Sequence, residues 1–505
     1  LADNPGIAQL EAGKYASFVK QSFTMEGLTI KAAYVGAGAN NTLTGTSDDE
    51  LFIGGLGNNT INGGTGTDRA LYEGNYSDYT VSFTGTTVTV TKAGLTDTVT
   101  NVESLKFADK TVWVVASPNT IAGAVASASP NDIILVTAGN YTETLTINKV
   151  LTILGANSGK TGVDSSRVAE TVIQGKVTLT AAATIDGVLF TKPSTSTSTN
   201  GINFSGWTGL NLDIGSGATV TNSIVEAFGA GGGFGGSGFV RIVDGGGTFS
   251  NSKVVAGSGY NALSDARGVG AVAVGGVNGT YTVTGNSLLV STNGADGVNN
   301  YGGANNTVVI TNNIISGTDG GIVSYSFDAT TGSDSLTITG NTISSYNDNG
   351  IRVFNYSKAS VVTIKSNSVT GPNPLLVDTN SLVTYVIGTS TAAALTTSAQ
   401  LSAILADNPG IAQLEAGKYA SFVKQSFTMD GKTVKAAYVD SADNALTGTA
   451  DDEIFVGGSG DNTITGGLGD DTIDGGAGNN TAVFSGNYDD YVISLTPTIT
   501  VTGKP

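Results

Sequence analysis

Acidic and amide side chains recur every nine residues in two short, glycine-rich stretches of the 505-residue chain. The first stretch, 45–71, divides into three units of nine residues, and the second, 448–483, divides into four. Each unit begins with glycine, whose tolerance of positive φ lets a chain turn sharply within a few residues. The sixth residue of each unit is always Glu, Asn or Asp, so oxygen-bearing side chains are repeated at a fixed interval.

This pattern resembles the G-G-x-G-x-D-x-U-x repeat of the RTX, or hemolysin-type, calcium-binding family. The resemblance implies that stacked turns supply oxygen ligands to Ca²⁺, which takes roughly six to eight of them. The eighth residue of each unit should then point inward, at Phe52, Ile61, Ala70, Phe455, Ile464, Ile473 and Ala482. The implied metal ligands are Asp48, Asp49, Glu50, Asn59, Asp68, Asp451, Asp452, Glu453, Asp461, Asn462, Asp470, Asp471, Asp474 and Asn480.

The units depart from the family pattern in two ways. Asn replaces Asp at three of the seven sixth positions, namely Asn59, Asn462 and Asn480, which lowers the ligand charge and should weaken those sites. The two units that carry Glu lack the fourth-position glycine and have paired aspartates there instead. We expect the second stretch, which is richer in aspartate, to bind calcium better. The alternative is a metal-free loop rich in Gly and Asn.

Composition narrows the classes of function. The net charge of −18 and the pI of about 4.3 argue against a nucleic-acid partner, whose phosphates call for a basic face, and favour cations. The chain has no Cys and no His, which excludes zinc sites built on thiolate or imidazole and catalysis by Ser/His or Cys/His. No apolar run is long enough to span a membrane, so we predict no membrane insertion.

A 25-residue stretch occurs twice without change, at 1–25 and again at 405–429. Similarity continues beyond it through the nine-residue units, and the second copy has one unit more than the first. Such self-similarity is the signature of a repeat architecture. We expect the chain to be a segment of a longer tandem array in which the doubled stretch joins one unit to the next.

The longest block resembles the right-handed parallel β-helix, or pectin-lyase-like, domain. Residues 119–128 read as a short capping helix with Asn119 at its start, and short apolar strands follow at Asp132–Val136 and Leu151–Gly155. Asparagines at recurring turns, which can adopt left-handed φ, should stack as a polar ladder at one corner: Asn222, Asn251, Asn286, Asn313, Asn341 and Asn367.

The predicted fold class is all-β, with a β-helix solenoid, RTX-type calcium modules and a short helix/strand connector. The predicted segments are a connector at 1–40, RTX repeats at 41–71, a β capping segment at 72–118, the β-helix at 119–390, a second connector at 391–445, second RTX repeats at 446–483 and the start of a second cap at 484–505.

Three functions fit this sequence. The favoured one is a calcium-dependent structural protein, extracellular or on a bacterial surface, whose copies assemble end to end in a filament, sheath, S-layer or adhesin stalk. The second is an enzyme acting on polyuronates, since mannuronan epimerases combine these two module types. Its sparse candidates are Arg267, Tyr325, Arg352 and Tyr356, and no catalytic motif supports them. The third is an adhesin that binds cell-surface glycans through insertions in the β-helix.

Overall fold

A computed structural model describes most of the first set of nine-residue units and much of the long block that follows it. The described residues are 23–25, 28–30, 32–35, 40–191, 212–227, 237–256, 269–289, 295–326, 333–354, 360–370, 375–378, 384–387, 390–393, 427–429, 432–434, 436–439, 445–448, 453–456, 461–494 and 500–503. The chain forms two compact units, Leu1–Asn299 and Asn300–Pro505. Within the described ranges, no helix is both long and apolar enough to cross a membrane.

In the described part of the first unit, the antiparallel pair β1 and β2 precedes a coil of short strands, here called the roll, and the segment that follows the roll. Two parallel sheets form its sides, in the orders β3-β5-β7-β11 and β4-β6-β10, because successive nine-residue units place their strands on alternate sides. The strands are β1 Phe23–Met25, β2 Leu28–Ile30, β3 Ala32–Val35, β4 Thr42–Thr44, β5 Glu50–Ile53, β6 Thr60–Asn62, β7 Arg69–Leu71, β8 Thr80–Thr84, β9 Thr87–Lys92, β10 Leu95–Thr100, β11 Ser104–Lys106 and β12 Thr111–Val115, with a 3₁₀ turn at Tyr76–Asp78.

Between the two sides of the roll lie the eighth residues of the units, as predicted. Phe52, Ile61 and Ala70 are fully buried, and they pack with Val99 and Leu105 from the segment that follows. In the second copy Phe455 and Ile464 are buried, whereas Ile473 is half-buried and Ala482 is exposed. The prediction was wrong for Ala482, because within the described residues no strand covers it as β11 covers Ala70.

A parallel β-helix follows in the first unit, which confirms the predicted fold class. Its coils stack three parallel sheets, in the orders β13-β16-β19-β22-β25-β28, β14-β17-β20-β23-β26-β29 and β15-β18-β21-β24-β27. The strands are β13 Ile133–Val136, β14 Gly139–Tyr141, β15 Leu145–Ile147, β16 Thr152–Leu154, β17 Thr171–Gln174, β18 Val177–Leu179, β19 Thr184–Asp186, β20 Val188–Thr191, β21 Leu212–Ile214, β22 Ala218–Thr221, β23 Ile224–Ala227, β24 Ser237–Ile242, β25 Gly247–Ser250, β26 Lys253–Ala256, β27 Val269–Val274, β28 Thr280–Thr284 and β29 Ser287–Leu289.

The roll and the β-helix of the first unit share one sheet. Strand β11 runs parallel to β7, pairs antiparallel with β12, and β12 pairs parallel with β13, the first strand of the β-helix. The side strands β8, β9 and β10 form an antiparallel meander on the other sheet of the roll. The segment 72–118 therefore pairs with both the roll and the first coil.

In the second unit the coil sheets are β31-β34-β37-β40-β41, β32-β35-β38 and β33-β36-β39, and the second roll has the orders β44-β46-β48 and β45-β47-β49. Strand β30, Ala295–Gly302, lies across the boundary of the units in sequence. The others are β31 Thr307–Thr311, β32 Ile314–Ser316, β33 Ile322–Ser326, β34 Ser335–Thr339, β35 Thr342–Ser344, β36 Ile351–Phe354, β37 Val361–Lys365, β38 Ser368–Thr370, β39 Leu375–Asp378, β40 Thr384–Ile387, β41 Ser390–Ala393, β42 Phe427–Met429, β43 Lys432–Val434, β44 Ala436–Val439, β45 Ala445–Thr447, β46 Glu453–Val456, β47 Thr463–Thr465, β48 Thr472–Asp474, β49 Thr481–Val483, β50 Tyr491–Ser494 and β51 Thr500–Gly503, with a 3₁₀ turn at Tyr488–Asp490. Most of both predicted connectors lies outside the described residues.

A short helix, α1 (Ile121–Ser127), lies against the first coil. Its N-cap is Thr120 and not Asn119 as predicted, because Thr120 directly precedes the first helical residue and its Oγ1 accepts the N–H of Gly123 at 3.1 Å. Charges from the first coil hold both ends: the Glu143 carboxylate accepts the first two helical N–H groups, and the Lys149 ammonium donates to three carbonyls of the last turn.

The polar ladder exists, but its residues are shifted by one position in two coils. Asn222 and Asn251 adopt left-handed φ, and the buried ladder residues there are the following serines, Ser223 and Ser252. The Ser223 N–H donates to Ser252 Oγ, and the Ser252 N–H to Asn286 Oδ1. The second unit has a ladder of Asn313, Asn341 and Asn367. In it the Asn313 N–H donates to Asn341 Oδ1 and the Asn341 N–H to Asn367 Oδ1, each at 3.0 Å. The prediction of a ladder was right at these asparagines and wrong at Asn222 and Asn251.

Candidate calcium site

Three carboxylates stack along one side of the first roll, and we call them the acid row: Glu50, Asp68 and Glu103. They begin or precede β5, β7 and β11, which are neighbours in one parallel sheet. The N–H of Glu50 donates to Asp68 Oδ1 at 2.8 Å, and the N–H of Asp68 donates to Glu103 Oε2 at 2.8 Å. Asp68 and Glu103 therefore each accept the backbone N–H of the acid in the turn before.

Two oxygens of this row have no hydrogen-bond donor among the described residues. Glu50 Oε1 accepts from the backbone and hydroxyl of Thr46, but its Oε2 is buried and unpaired. Asp68 Oδ2 is likewise buried and unpaired. Both side chains are 0% exposed. Burying an ionised carboxylate oxygen without a partner is costly, so these two oxygens are suited to a cation.

The electrostatics of the row agree with that requirement. Burial raises the pKa of Asp68 to about 8, and the carboxylates of Glu50 and Glu103 add to the rise while the Glu50 N–H opposes it. Burial also raises the pKa of Glu103. A divalent cation at the row would offset this like-charge repulsion and hold the carboxylates ionised.

Backbone carbonyls complete the oxygen lining beside two glycines. A Cβ at Gly45 would collide with the Gly63 carbonyl oxygen and with Glu50 Oε2. A Cβ at Gly63 would collide with the Asn101 carbonyl oxygen and, at 2.5 Å, with Asp68 Oδ2. The space that only glycine leaves open is thus bordered by one carbonyl and one carboxylate oxygen in each turn. These hard donors are the type that Ca²⁺ prefers, so the residues present fit the ion.

The opposite side of the roll carries two amides and one acid, Asn41, Asn59 and Asp97, and we call these three residues the amide row. Asn59 Oδ1 accepts both the N–H and the Nδ2 of Asn41, at 2.9 and 2.8 Å. Asp97 Oδ1 accepts the N–H and the Nδ2 of Asn59, at 2.9 and 2.7 Å. A Cβ at Gly54 would lie 2.8 Å from Asn59 Nδ2 and 3.1 Å from Asp97 Oδ2, so the nearest polar atom here is a donor rather than a metal ligand. Hydrogen bonds between side chains therefore join the turns on this side.

The other predicted ligands of the first copy lie at the periphery of the turns. Asp49 Oδ1 accepts the N–H of Thr67 at 2.8 Å, as Asn40 Oδ1 accepts the N–H of Asn58. Asp48 is exposed, and its carbonyl oxygen borders Gly66. The structure thus brings together Glu50 and Asp68, places Asp48 and Asp49 outside them, and separates Asn59 onto the opposite side.

The second roll repeats the division between acids and amides. The N–H and the Nδ2 of Asn462 donate to Asn480 Oδ1 at 2.9 and 3.1 Å, and Asp461 Oδ1 accepts the N–H of Asn479. Asp471 lies beside Gly466 as Asp68 lies beside Gly63, but Asp471 is half-buried whereas Asp68 is fully buried. Asp470 is exposed, and Asp474 is exposed with its Oδ1 accepting the N–H of Gly476. Asp451, Asp452 and the side chain of Glu453 lie outside the described residues.

Sequence reasoning missed Asn41, Asp97 and Glu103. Asp97-Thr-Val-Thr100 and Glu103-Ser-Leu-Lys106 reproduce the last four positions of a repeat unit without its glycines. Strand pairing places Val99 beside Ile61 and Leu105 beside Ala70, so each acid takes the place of a sixth residue. The motif of acid, any residue, apolar residue was the available signal. Within the described residues, no three acids converge on one point, so each turn must combine its acid with carbonyls.

Together, the fold and the rows define a class: an all-β solenoid protein with glycine-rich, calcium-binding turns. A family model described as the RTX calcium-binding nonapeptide repeat (4 copies) matches residues 35–70 and 447–482. The chain thus carries RTX calcium-binding repeats in both copies, and Ca²⁺ is their metal.

Two further comparisons complete this result. None of the curated proteins matches the chain. One solved structure, "Structure of Yersinia enterocolitica Family 28 Exopolygalacturonase", is similar at 12% identity and a TM-score of 0.17 over 79% of this chain and 83% of that chain.

The sparse residues considered for enzyme chemistry fall in two groups. Arg267 and Tyr356 lie outside the described residues. Tyr325 and Arg352 lie on neighbouring strands of the second unit, where Arg352 is paired with Val323 and Tyr325 with Phe354. Since side chains alternate along a strand, Tyr325 and Arg352 are diagonal neighbours on one face, and both are half-buried.

Proposed function

We propose that this protein is a structural, extracellular repeat protein of a bacterial surface whose folding depends on calcium. The observation that carries the proposal is the buried, unpaired pair of oxygens, Glu50 Oε2 and Asp68 Oδ2. A cation at the acid row supplies the partner that the protein itself does not provide among the described residues, and the free energy of binding then adds to the free energy of folding.

Calcium dependence would link folding to location. In calcium-poor cytoplasm the acid row repels itself, and outside the cell the metal neutralises it and stacks the turns. RTX repeats are typical of secreted bacterial proteins, and the net charge of −18 favours a cation-rich environment. The repeats and the net charge therefore both support secretion.

End-to-end assembly is the second part of the proposal. The chain repeats its first stretch and its calcium module, so one copy's module follows another copy's β-helix in sequence. A contact between unlike ends that does not close on itself generates a fibre. The partner we propose is another copy of this protein, in a filament, sheath, S-layer or adhesin stalk.

Thermal unfolding with and without calcium tests the first part. We expect excess Ca²⁺ to raise the Tm of the chelator-treated protein, and Mg²⁺ to raise it much less because Mg²⁺ gives up its water reluctantly. Asp68→Asn should lose the part of the calcium effect that comes from the first roll, whereas Asp109→Asn, on the surface near the roll, should keep it. A wild-type Tm indifferent to calcium would refute the proposal.

Electron microscopy of the same samples tests assembly. We expect elongated particles or filaments in calcium and their loss in chelator. Particles that stay globular in both conditions contradict the assembly proposal, even if calcium stabilises the fold.

A second candidate function is glycan binding or processing on the β-helix. Tyr301 and Tyr325 contact edge-to-face with ring centroids 4.8 Å apart, and Arg352 lies beside Tyr325 on the same face. Aromatic rings and a guanidinium are groups that bind sugars and carboxylates. This cluster favours an acidic polysaccharide as the ligand.

Binding and turnover assays on alginate and pectin test the second candidate. We expect Arg352→Ala and Tyr325→Ala to abolish any binding or cleavage, whereas Lys110→Ala, on the cap segment, should leave it intact. Wild-type protein that neither binds nor cleaves either polymer excludes this function, and binding without turnover supports an adhesin rather than an enzyme.

A further inference from the structure

The acid row continues beyond the residues that match the RTX repeat. That match ends at residue 70 in the first copy, and Glu103 lies more than thirty residues further along the chain. Even so, Glu103 occupies the next place in the row, because β11 pairs with β7 in the same parallel sense as β7 pairs with β5. The segment that caps the roll therefore supplies the last acid.

The hydrogen bonds between the cap segment and the roll repeat those between neighbouring turns of the roll. The Asp68 N–H donates to Glu103 Oε2 at 2.8 Å, just as the Glu50 N–H donates to Asp68 Oδ1 at 2.8 Å. The N–H of Gly63 donates to the Thr100 carbonyl at 3.0 Å, just as the N–H of Gly45 donates to the Asn62 carbonyl at 2.7 Å. The cap segment thus behaves as one further turn of the roll.

The oxygens beside Gly63 match the oxygens beside Gly45. Next to Gly63 are the Asn101 carbonyl and the unpaired, fully buried Asp68 Oδ2. Next to Gly45 are the Gly63 carbonyl and Glu50 Oε2. Asn101 has a left-handed φ of 50°, which asparagine tolerates, and its Nδ2 donates to Asn62 Oδ1.

We propose that the cap segment completes a calcium site of its own, in which Glu103 and the Asn101 carbonyl join Asp68 as ligands. This site deepens the calcium dependence proposed above and rests on it. Strand β11 pairs with β12, and β12 pairs with β13. An ion bound by Glu103 therefore links the roll to the first strand of the β-helix. Calcium then organises the junction as well as the roll.

The test compares Glu103→Gln with Glu73→Gln in the full chain. Glutamine keeps an oxygen that can accept the Asp68 N–H, so the change removes a charge and little else. Glu73 is exposed, which makes the same change there a matched control. We expect Glu103→Gln to bind one Ca²⁺ fewer, or one Ca²⁺ roughly tenfold more weakly, in calorimetric titration, and Glu73→Gln to match wild type.

Terbium luminescence reports specifically on the calcium site proposed at Glu103. Trp113 pairs with Ser104, next to Glu103, and the chain has only one other tryptophan, Trp207. In a Trp207→Phe background we expect tryptophan-sensitised Tb³⁺ emission that Ca²⁺ competes away, and its loss in both Glu103→Gln and Trp113→Phe. The Trp113→Phe protein should keep its calcium stoichiometry, which separates loss of the sensitiser from loss of the ion.

Hydrogen exchange measures the link to the β-helix. We expect Ca²⁺ to increase the protection of β11 and β12 in wild type and in Glu73→Gln, but not in Glu103→Gln. If Glu103→Gln fails to fold, Glu103→Asp is measured instead, and its shorter side chain should bind more weakly than wild type. Wild-type stoichiometry, affinity and exchange in the Glu103 variant would overturn this inference alone, whereas a wild type that ignores calcium would overturn the proposed function as well.

Discussion

Asn59 and Asp68 occupy the same position in neighbouring repeats but make different contacts. The Asn59 amide is both a donor and an acceptor, so it bonds to Asp97 and Asn41 and closes its row without an ion. The Asp68 carboxylate can only accept, and one of its oxygens stays unpaired. One nitrogen in place of one oxygen thus decides whether a row of turns requires a cation.

Asn59→Asp tests that rule at the amide row. The change removes the 2.7 Å bond from Nδ2 and places a second carboxylate beside Asp97. We expect the calcium-free protein to lose about 1–3 kcal/mol of stability, because a buried donor is replaced by a repelling charge. Added Ca²⁺ should recover the loss and raise the number of bound ions, as measured by chemical unfolding and calorimetric titration.

Asn58→Asp is the control for this substitution. Asn58 is exposed, and its Oδ1 accepts the N–H of Thr96, a role that aspartate keeps. We expect it to be nearly neutral. If Asn59→Asp were equally neutral without calcium, the amide row would not stabilise the roll as argued.

The raised pKa of Asp68 predicts how the stability of the calcium-free protein varies with pH. An unfolded chain ionises this carboxyl above about pH 4, whereas burial raises the pKa of folded Asp68 to about 8. Between these values the folded state binds more protons than the unfolded state, so the contribution of Asp68 to stability falls as the pH rises. We expect calorimetry in chelator to show a lower Tm at about pH 8 than at about pH 5.

Asp68→Asn isolates this effect, because asparagine does not titrate. Its Tm should exceed that of the calcium-free wild type at about pH 8, and the excess should shrink toward pH 5. With saturating Ca²⁺ the ion holds the carboxylate ionised, and the wild type should become the more stable of the two. An excess that grows as the pH falls would contradict the assignment.

At the scale of secondary-structure elements, the buried ladder sets how successive coils of the β-helix stack. Asn341 is fully buried, accepts the N–H of Asn313 and donates to the carbonyl of Ile310 and to Asn367 Oδ1. Ser223 and Ser252 take the same place in other coils and accept the same kind of N–H. The ladder position therefore requires a side-chain hydrogen-bond acceptor, and the amide of asparagine supplies donors as well.

Asn341→Ala and Asn341→Ser should differ in cost. Alanine leaves several buried groups unpaired, and we expect it to lower the free energy of unfolding by about 2–4 kcal/mol. Serine restores an acceptor for the Asn313 N–H, so its cost should be about half as large. Denaturant titration of both variants measures the difference, and equal costs would show that volume rather than hydrogen bonding governs the position.

The nine-residue period and its resemblance to the RTX repeat were enough to predict the inward Phe52 and Ile61, since the direction of these side chains depends on local turns. Two periods bring equivalent residues onto one side, so the separation of acids from amides was also present in the sequence. The places of Asp97 and Glu103 were not predicted, because they depend on pairing with strands more than thirty residues away. The ladder was misplaced at Asn222 and Asn251 because asparagine suits both the left-handed turn and the buried position after it.

At the scale of the whole molecule, calcium and hydrogen bonding stabilise different parts. The acid row lies in the roll, whereas the β-helix coils of each unit are joined by parallel strands and by ladder bonds between neutral groups. We expect chelator to expose residues 40–115 to protease while the strands β13 to β29 of the first unit stay protected. Time-resolved digestion with mass spectrometry measures the order of cleavage, with the digestion in Ca²⁺ as its control.

The cap segment, which supplies the last acid of the acid row, follows the roll in the chain. This order determines which folding step comes last. A chain that leaves a ribosome or a secretion channel cannot complete its first roll until β11 and β12 have followed. Contacts between residues this far apart form slowly, because the loop between them must close first. Strand β12 then presents its free edge to β13, so the last step in folding the roll is also the first step in winding the β-helix.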